Sequence, residues 1–338
     1  MKNRISPPET WKHPETHLKE LLFSEWYQGI ANITNSLIEG THIFFKEQNI
    51  KPFIFPITTG SVSSPMGKGS DSLPVSINIK NNNIFLADSM QFSLELATRL
   101  TQKGAYYIMP TFRGEDTDER HLNEFVHSEV EIIGEFKDIL VLAEKYISYI
   151  IKYVIRHNES TIYDMAGTIN HIDKFLKKEA FKKIHFEEAL ELLEQDENSI
   201  KHINTDFPTI TAYGEKQLLK EFGDFVWIIN LPYSNVPFYQ SRQNGSSFAN
   251  AGDLLAGIGE ILGCGERVFT EDELIESLKY HEINLHGYEW YFEMKKNKPL
   301  KTSGFGMGME RLILWLTQTE DIRNCTLLYR DHSKIIYP

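Results

Sequence analysis

"AYYIMPTFRGEDTDERHLNEFVHSEVEIIGEF", residues 105–136, decides how this chain is read. It holds two apolar runs, 105–112 and 127–136, separated by a segment too charged for an ordinary turn. Between 113 and 125 stand two arginines, one histidine, five carboxylates and a closing phenylalanine. The two runs predict the arms of one long antiparallel hairpin. Residues two apart in a strand share a face, which groups Arg113 with Glu115 and Glu129 with Glu131. Such a face suits a ligand with anionic, hydrogen-donating and planar parts. Arginine can take a phosphate through two N–H groups, a carboxylate can accept from an exocyclic amine, and Phe125 can stack on a base. Taken alone, the loop reads first as a solvated tip whose ion pairs contribute little stability, since charge runs are usually solvated faces.

A second segment changes that balance. "GFGMGMERL", residues 304–312, alternates glycine at 304, 306 and 308 and then places Arg311 at the start of a helix. Glycines in a strand allow close approach of a planar ligand or backbone, and a helix start favours phosphate. Around these segments, apolar periodicity predicts helices over about 21–49, 89–100 and 137–158. Short strands are expected in "KPFIFPITTG", "DFVWIIN" and "NAGDLLAGIGEILG", and a Ser/Gly/Pro-rich loop over 61–74. Residues 1–20 read as a polar arm, 21–338 as one domain, and 159–222 as a helical, lysine- and glutamate-rich insertion beside the sheet. Hairpin-paired strands with helices between them predict an α+β fold with an antiparallel sheet flanked by helices.

Composition excludes several classes. The chain has 47 acidic against 35 basic side chains, a net charge of −12, which argues against DNA or other nucleic acid held passively on a basic surface. Two cysteines cannot build a disulfide framework, no signal-peptide core opens the chain, and no apolar run is long enough to span a membrane. The expectation is a cytoplasmic protein.

Both charged segments together resemble a class II aminoacyl-tRNA synthetase catalytic core of the aspartyl/asparaginyl branch. "FRGEDTDERHLNEF" is similar to that family's motif 2, "GFGMGMERL" to its motif 3, and "FPITTGS" to motif 1, which builds a homodimer interface. "SMQFSLE", "PFYQ" and "DLLAGIGEILGCGER" match intervening blocks in order. The resemblance implies ATP and Mg²⁺ as cofactors. It implies Arg113 on the α-phosphate, Glu115 at the adenine amino group, His121 on the outer phosphates and Phe125 on the adenine face. Gly308 and Arg311 would complete the ATP site, and Asp253 and Glu260 would hold Mg²⁺. Ser89, Gln91 and Glu95, with Tyr239 and Arg267, would hold an amino acid. The aspartyl branch has a lysine where Leu94 stands, whereas the asparaginyl branch has a glutamate at Glu95. The resemblance therefore implies an asparagine-type pocket in which Glu95 accepts from a substrate amide and repels a side-chain carboxylate.

Departures accompany the match. Where the family has a glutamate for the substrate amine and a lysine before "PFY", this chain has Ser64 and Val236. A short polar arm stands where the family carries an anticodon-reading barrel before motif 1. The implied activity is ATP-dependent formation of an acyl-adenylate from an asparagine- or aspartate-like amino acid. Transfer to an acceptor other than conventionally recognised tRNA is expected. Asparagine–tRNA ligation, or a non-catalytic sensor of amino acid or tRNA, are the other readings. Arg113, Asp253, Glu260 and Arg311 disfavour the sensor, which has no need of a metal site.

Overall fold

A computed structural model describes residues 4–64, 68, 72–202, 206–330 and 332–337. Most of the segment 65–71, inside the predicted Ser/Gly/Pro-rich loop, lies outside the described residues. Eight strands form the main sheet: β1 (Lys51–Pro52), β2 (Gly104–Phe112), β3 (Glu124–Ile133), β4 (Lys182–His185), β5 (Val226–Ile229), β6 (Ala251–Ala256), β7 (Gly259–Glu266) and β8 (Thr302–Gly308). Their order is β1-β2-β3-β8-β7-β6-β5-β4. Only the outermost pairings, β1 with β2 and β5 with β4, are parallel; the six central strands form an antiparallel sheet.

The decisive hairpin is β2–β3, with Ala105 opposite Glu131 and Phe112 opposite Glu124. Its second arm starts three residues earlier than the apolar pattern indicates, because Phe125 and Val126 stay in the ladder opposite Thr111 and Pro110. It also ends earlier, at Ile133, because the next helix begins at Phe136.

Two long helices cover one face of the sheet. In α1 (Glu25–Glu47), Trp26, Ile30, Ile33, Leu37 and Phe44 recur at helical spacing and are buried. Ser24 caps its start, accepting from the Trp26 N–H. The helix α3 (Phe136–Ala166) lies against α1 and runs eight residues past the predicted end at 158. Asn158 does leave helical geometry, but its amide donates to Ser36 Oγ at 2.8 Å and to the Val154 carbonyl at 3.2 Å. Tertiary packing thus carries the chain through a kink to a glycine C-cap at Gly167 (φ 75°). The other helices that matter here are α2 (Gln91–Thr101), α4 (Ala212–Phe222), α5 (Glu289–Asn297) and α6 (Met309–Thr317).

Two regions differ from the sequence reading. The stretch 159–222 is not purely helical, since β4 adds an edge strand to the sheet and 200–201 pair with 209–210. "KKIH" buries only Ile184, so it carries no apolar alternation to read. The N-terminal residues are laid onto the body. Thr10 is buried and bonds both His17 Nδ1 (2.8 Å) and the Tyr27 hydroxyl (2.6 Å), and the Arg323 guanidinium stacks 3.6 Å from the Trp11 ring.

Candidate active site

The open side of the sheet holds two adjoining cavities. Arg113, His127, Glu260 and Gly306 line both.

The first is built from the β2–β3 loop and the start of α6. All six residues expected to bind ATP line it: Arg113, Glu115, His121, Phe125, Gly308 and Arg311. The loop is held by its own hydrogen bonds, so its charges are fixed in place. Asn123 donates to the Arg113 and Glu115 carbonyls (3.0 and 2.6 Å), and Asp118 accepts from the backbone of Arg120 and His121. Arg113 sits over the Phe125 ring, 5.6 Å from its centroid, and Arg311 donates to the Glu260 carbonyl.

Several polar atoms of this cavity are buried without a partner. Arg113 Nε and Arg120 Nε are donors with nothing to donate to, and Glu115 Oε2 is an acceptor with nothing to accept. Glu115 Oε1, by contrast, takes the Leu73 N–H at 2.9 Å. Buried orphans are costly in a folded protein, so they mark where ligand atoms would sit. Two guanidinium donors and one carboxylate acceptor ask for an anion and an amine.

Asp253 and Glu260 project from β6 and β7 towards each other. A side chain at Gly263 would come within 2.9 Å of Glu260 Oε1 and 3.3 Å of Asp253 Oδ1, so the two carboxylates converge above that glycine. Burial, followed by the charges of Glu260 and Glu215, pushes Asp253 well above the usual carboxylate range. Among the described residues no three metal-ligating side chains form a complete cation site. A pair of crowded oxygen ligands beside an anion pocket fits Mg²⁺, which takes few protein ligands and completes its shell with phosphates and water.

The second cavity is lined by Ser89, Gln91, Tyr239 and Arg267, as expected, and also by Ser64, Val236, Glu129 and Gln240. Its ends differ in charge. At one end Glu129 accepts from Ser89 Oγ (2.7 Å) and meets His127 Nδ1 (2.8 Å), while Asp88 takes the backbone N–H groups of Ser63 and Ser64. At the other, Arg267 is held by Glu131 (3.1–3.3 Å) and Gln240 Oε1 (3.0 Å), above the Tyr239 ring. Burial pushes Glu131 up to about 7, against the pull of Arg267.

Glu95 is not on the cavity wall, which corrects the expectation that it meets a substrate amide. It is fully buried, and both oxygens are occupied. Oε1 accepts from Gln91 Nε2 and the Tyr291 hydroxyl, both at 2.6 Å, and Oε2 from Lys295 Nζ at 2.5 Å. Burial opposes its ionisation, yet Lys295, Arg99 and Arg267 together hold it below the usual carboxylate range. It is an ionised group consumed by the protein. What reaches the ligand side is Gln91, whose Oε1 is buried without a partner.

The glycines of β8 also serve differently from expectation. A side chain at Gly304 would collide with Glu131 Oε2 and Arg267 Nη2, and one at Gly306 would press within 3.1 Å of Glu129. These two glycines make room for protein carboxylates. Gly306 and Gly308 both keep cavity-lining places, whereas Gly304 has none. Sequence reasoning missed Arg120, His127, Gln240, Tyr291 and Lys295. Only the pair Tyr291–Lys295, four apart on one helix face, left a readable trace.

The chain matches the family of class II tRNA synthetases for D, K and N over residues 15–332. It belongs to that family. "Probable asparagine--tRNA ligase, cytoplasmic" of Encephalitozoon cuniculi is 32% identical over 74% of this chain, and this chain spans 56% of its length. An asparagine–tRNA ligase of Clostridium tetani is 28% identical over 89% of the chain and 70% of the relative. The asparaginyl-tRNA synthetase of Pyrococcus horikoshii, solved with asparaginyl-adenylate, superposes with a TM-score of 0.86 at 23% identity, over 98% of this chain and 74% of that one. That likeness establishes the class II synthetase fold. Among the described residues no helix is long and apolar enough to cross a membrane.

Proposed function

We propose that the protein uses ATP and Mg²⁺ to activate the carboxylate of an asparagine- or aspartate-like amino acid as an aminoacyl-adenylate. The observation that carries this is the set of buried orphans in the first cavity, Arg113 Nε, Arg120 Nε and Glu115 Oε2. They match a nucleotide's phosphate and amino groups in chemistry. No protein nucleophile is required, since the substrate carboxylate itself attacks the α-phosphorus, the α–β phosphoanhydride bond breaks and pyrophosphate leaves. Arg113 stabilises the charge developing there, and Phe125 and Arg311 bracket the adenine; the work is positioning and electrostatics. Asp253 and Glu260 would hold Mg²⁺, which neutralises phosphate charge when bound. In the second cavity, the Glu129 end suits the substrate's ammonium and the Arg267 end its side chain.

The acceptor we favour for the second step is a small amine, such as ammonia, over a tRNA recognised in the conventional way, on the strength of this chain's net charge of −12. Asparagine–tRNA ligation is the second reading, supported by the names of its relatives. We further propose a homodimer formed through the segment around Ile54, a side chain 92% exposed beside the stacked rings of Phe53 and Phe55. Adenylate formed from labelled ATP and challenged separately with ammonium and with tRNA tests both steps. Absence of any adenylate would end the proposal, and transfer to tRNA alone would favour the second reading.

A further inference from the structure

Behind the second cavity lies a buried ionic cluster that the synthetase reading leaves unexplained. Arg99, Arg267 and Lys295 supply three cations, and Glu95 and Glu131 two carboxylates, each at most 5% exposed. Lys295 comes from α5, on the far side of Glu95 from Gln91, and it also donates to the Val268 carbonyl at 2.7 Å, next to Arg267. Of the other acids, Glu129 on the wall and Asp88 beside it are occupied at the opposite end, and Asp253 and Glu260 line the pocket as the candidate metal pair. An uncompensated Glu95 would make the Arg267 end hostile to a second carboxylate. With Lys295 in place the cations there outnumber the carboxylates by one.

We propose that Lys295 is a specificity-determining residue: by neutralising Glu95 from behind, it lets the Arg267 end of the pocket accept a substrate whose side chain carries a carboxylate. This rests on the reading of the two cavities as an adenylate-forming site. Lys295 does the work expected of a basic residue at position 94, which is Leu94 in this chain. It does so without touching the substrate, so it is a positioning residue. Glu95 in turn holds the Gln91 amide through Nε2, which leaves Oε1 without a partner on a residue that lines the cavity.

The test is pyrophosphate exchange with aspartate and with asparagine in the wild type, Lys295→Met, Lys295→Arg and the double variant Glu95→Gln/Lys295→Met. Lys295→Met should lower kcat/KM for aspartate at least about tenfold more than for asparagine, because a buried like charge is then unscreened. Lys295→Arg should keep the wild-type ratio. The double variant removes both charges and should return the aspartate-to-asparagine ratio to within about threefold of wild type, the two positions being coupled. Pairs deleted together are also tolerated better than pairs broken. Equal losses for both substrates in Lys295→Met, with no recovery in the double variant, would make Lys295 purely structural and overturn the inference. A wild type that exchanges with neither substrate would overturn the site reading itself, and this inference with it.

Discussion

The two cavities share a wall but are finished differently. The first ends in groups the protein leaves open: Arg113 Nε, Arg120 Nε and Glu115 Oε2 have no internal partners. The second is backed by charges the protein has already spent on each other, with Glu95 on Lys295, Tyr291 and Gln91, and Arg267 on Glu131 and Gln240. The open cavity waits for a ligand that completes it. The closed one sets, through a neutralised background, what charge may enter. Changes in the first should therefore act on rate and ATP use, and changes behind the second on selectivity and stability.

The largest expected effect is at the metal pair. Glu260→Gln removes one of the two carboxylates that would hold Mg²⁺ and should lower adenylate formation by on the order of a hundredfold or more, roughly 3 kcal/mol in barrier. Near-normal exchange in a folded Glu260→Gln protein would remove Glu260 from the site.

Next comes a contrast in pH dependence. Glu310, on the wall of the first cavity, is pushed up to about 7 by burial, while Glu95 behind the second is held down. A raised carboxyl contributes stability that is complete below its unfolded value near 4.5 and disappears as the pH climbs through about 7. Glu310→Gln should therefore flatten the fall in unfolding free energy between those limits, a change of about 3 kcal/mol. Glu95 has the opposite sign: its contribution is present above the unfolded value and is lost as the pH falls through the depressed one. Glu95→Gln should therefore lower stability at neutral pH and flatten the pH dependence only at the acid end. Identical pH profiles for the two variants would break the comparison.

Arg113→Lys keeps the charge but loses the planar fork. We expect kcat to fall by about tenfold or more, at least about 1.4 kcal/mol. A change confined to KM for ATP would mean that Arg113 holds ground state and transition state equally. The smallest effect is Tyr291→Phe, which removes one hydrogen bond to Glu95 and should cost about 1 kcal/mol of stability with little change in KM for ATP.

What could be read from the sequence follows the same division. The first cavity is made largely by one hairpin loop and one strand-to-helix junction, so its residues are near neighbours in the chain and their chemistry is visible together. The second gathers residues 91, 131, 240, 267 and 295, and no local pattern announces that Lys295 will meet Glu95. The family resemblance places a ligand-facing glutamate at Glu95, and a matching position does not show how a buried carboxylate is answered. The sheet core was legible from hairpin pairing. The short edge strand at 182–185 and the helix running through Asn158 were not, because each depends on a partner from elsewhere, Val226–Ile229 in one case and Ser36 in the other.

The central claim is that the open cavity binds ATP for attack by an amino acid held in the closed one. Amino-acid-dependent exchange of pyrophosphate into ATP by the wild-type protein tests it most directly, measured with Mg²⁺ across aspartate, asparagine and larger apolar amino acids. The account predicts exchange that requires aspartate or asparagine, stops when Mg²⁺ is chelated and is absent with leucine or phenylalanine. Exchange that is indifferent to the amino acid supplied, or no exchange with any of them, would contradict it.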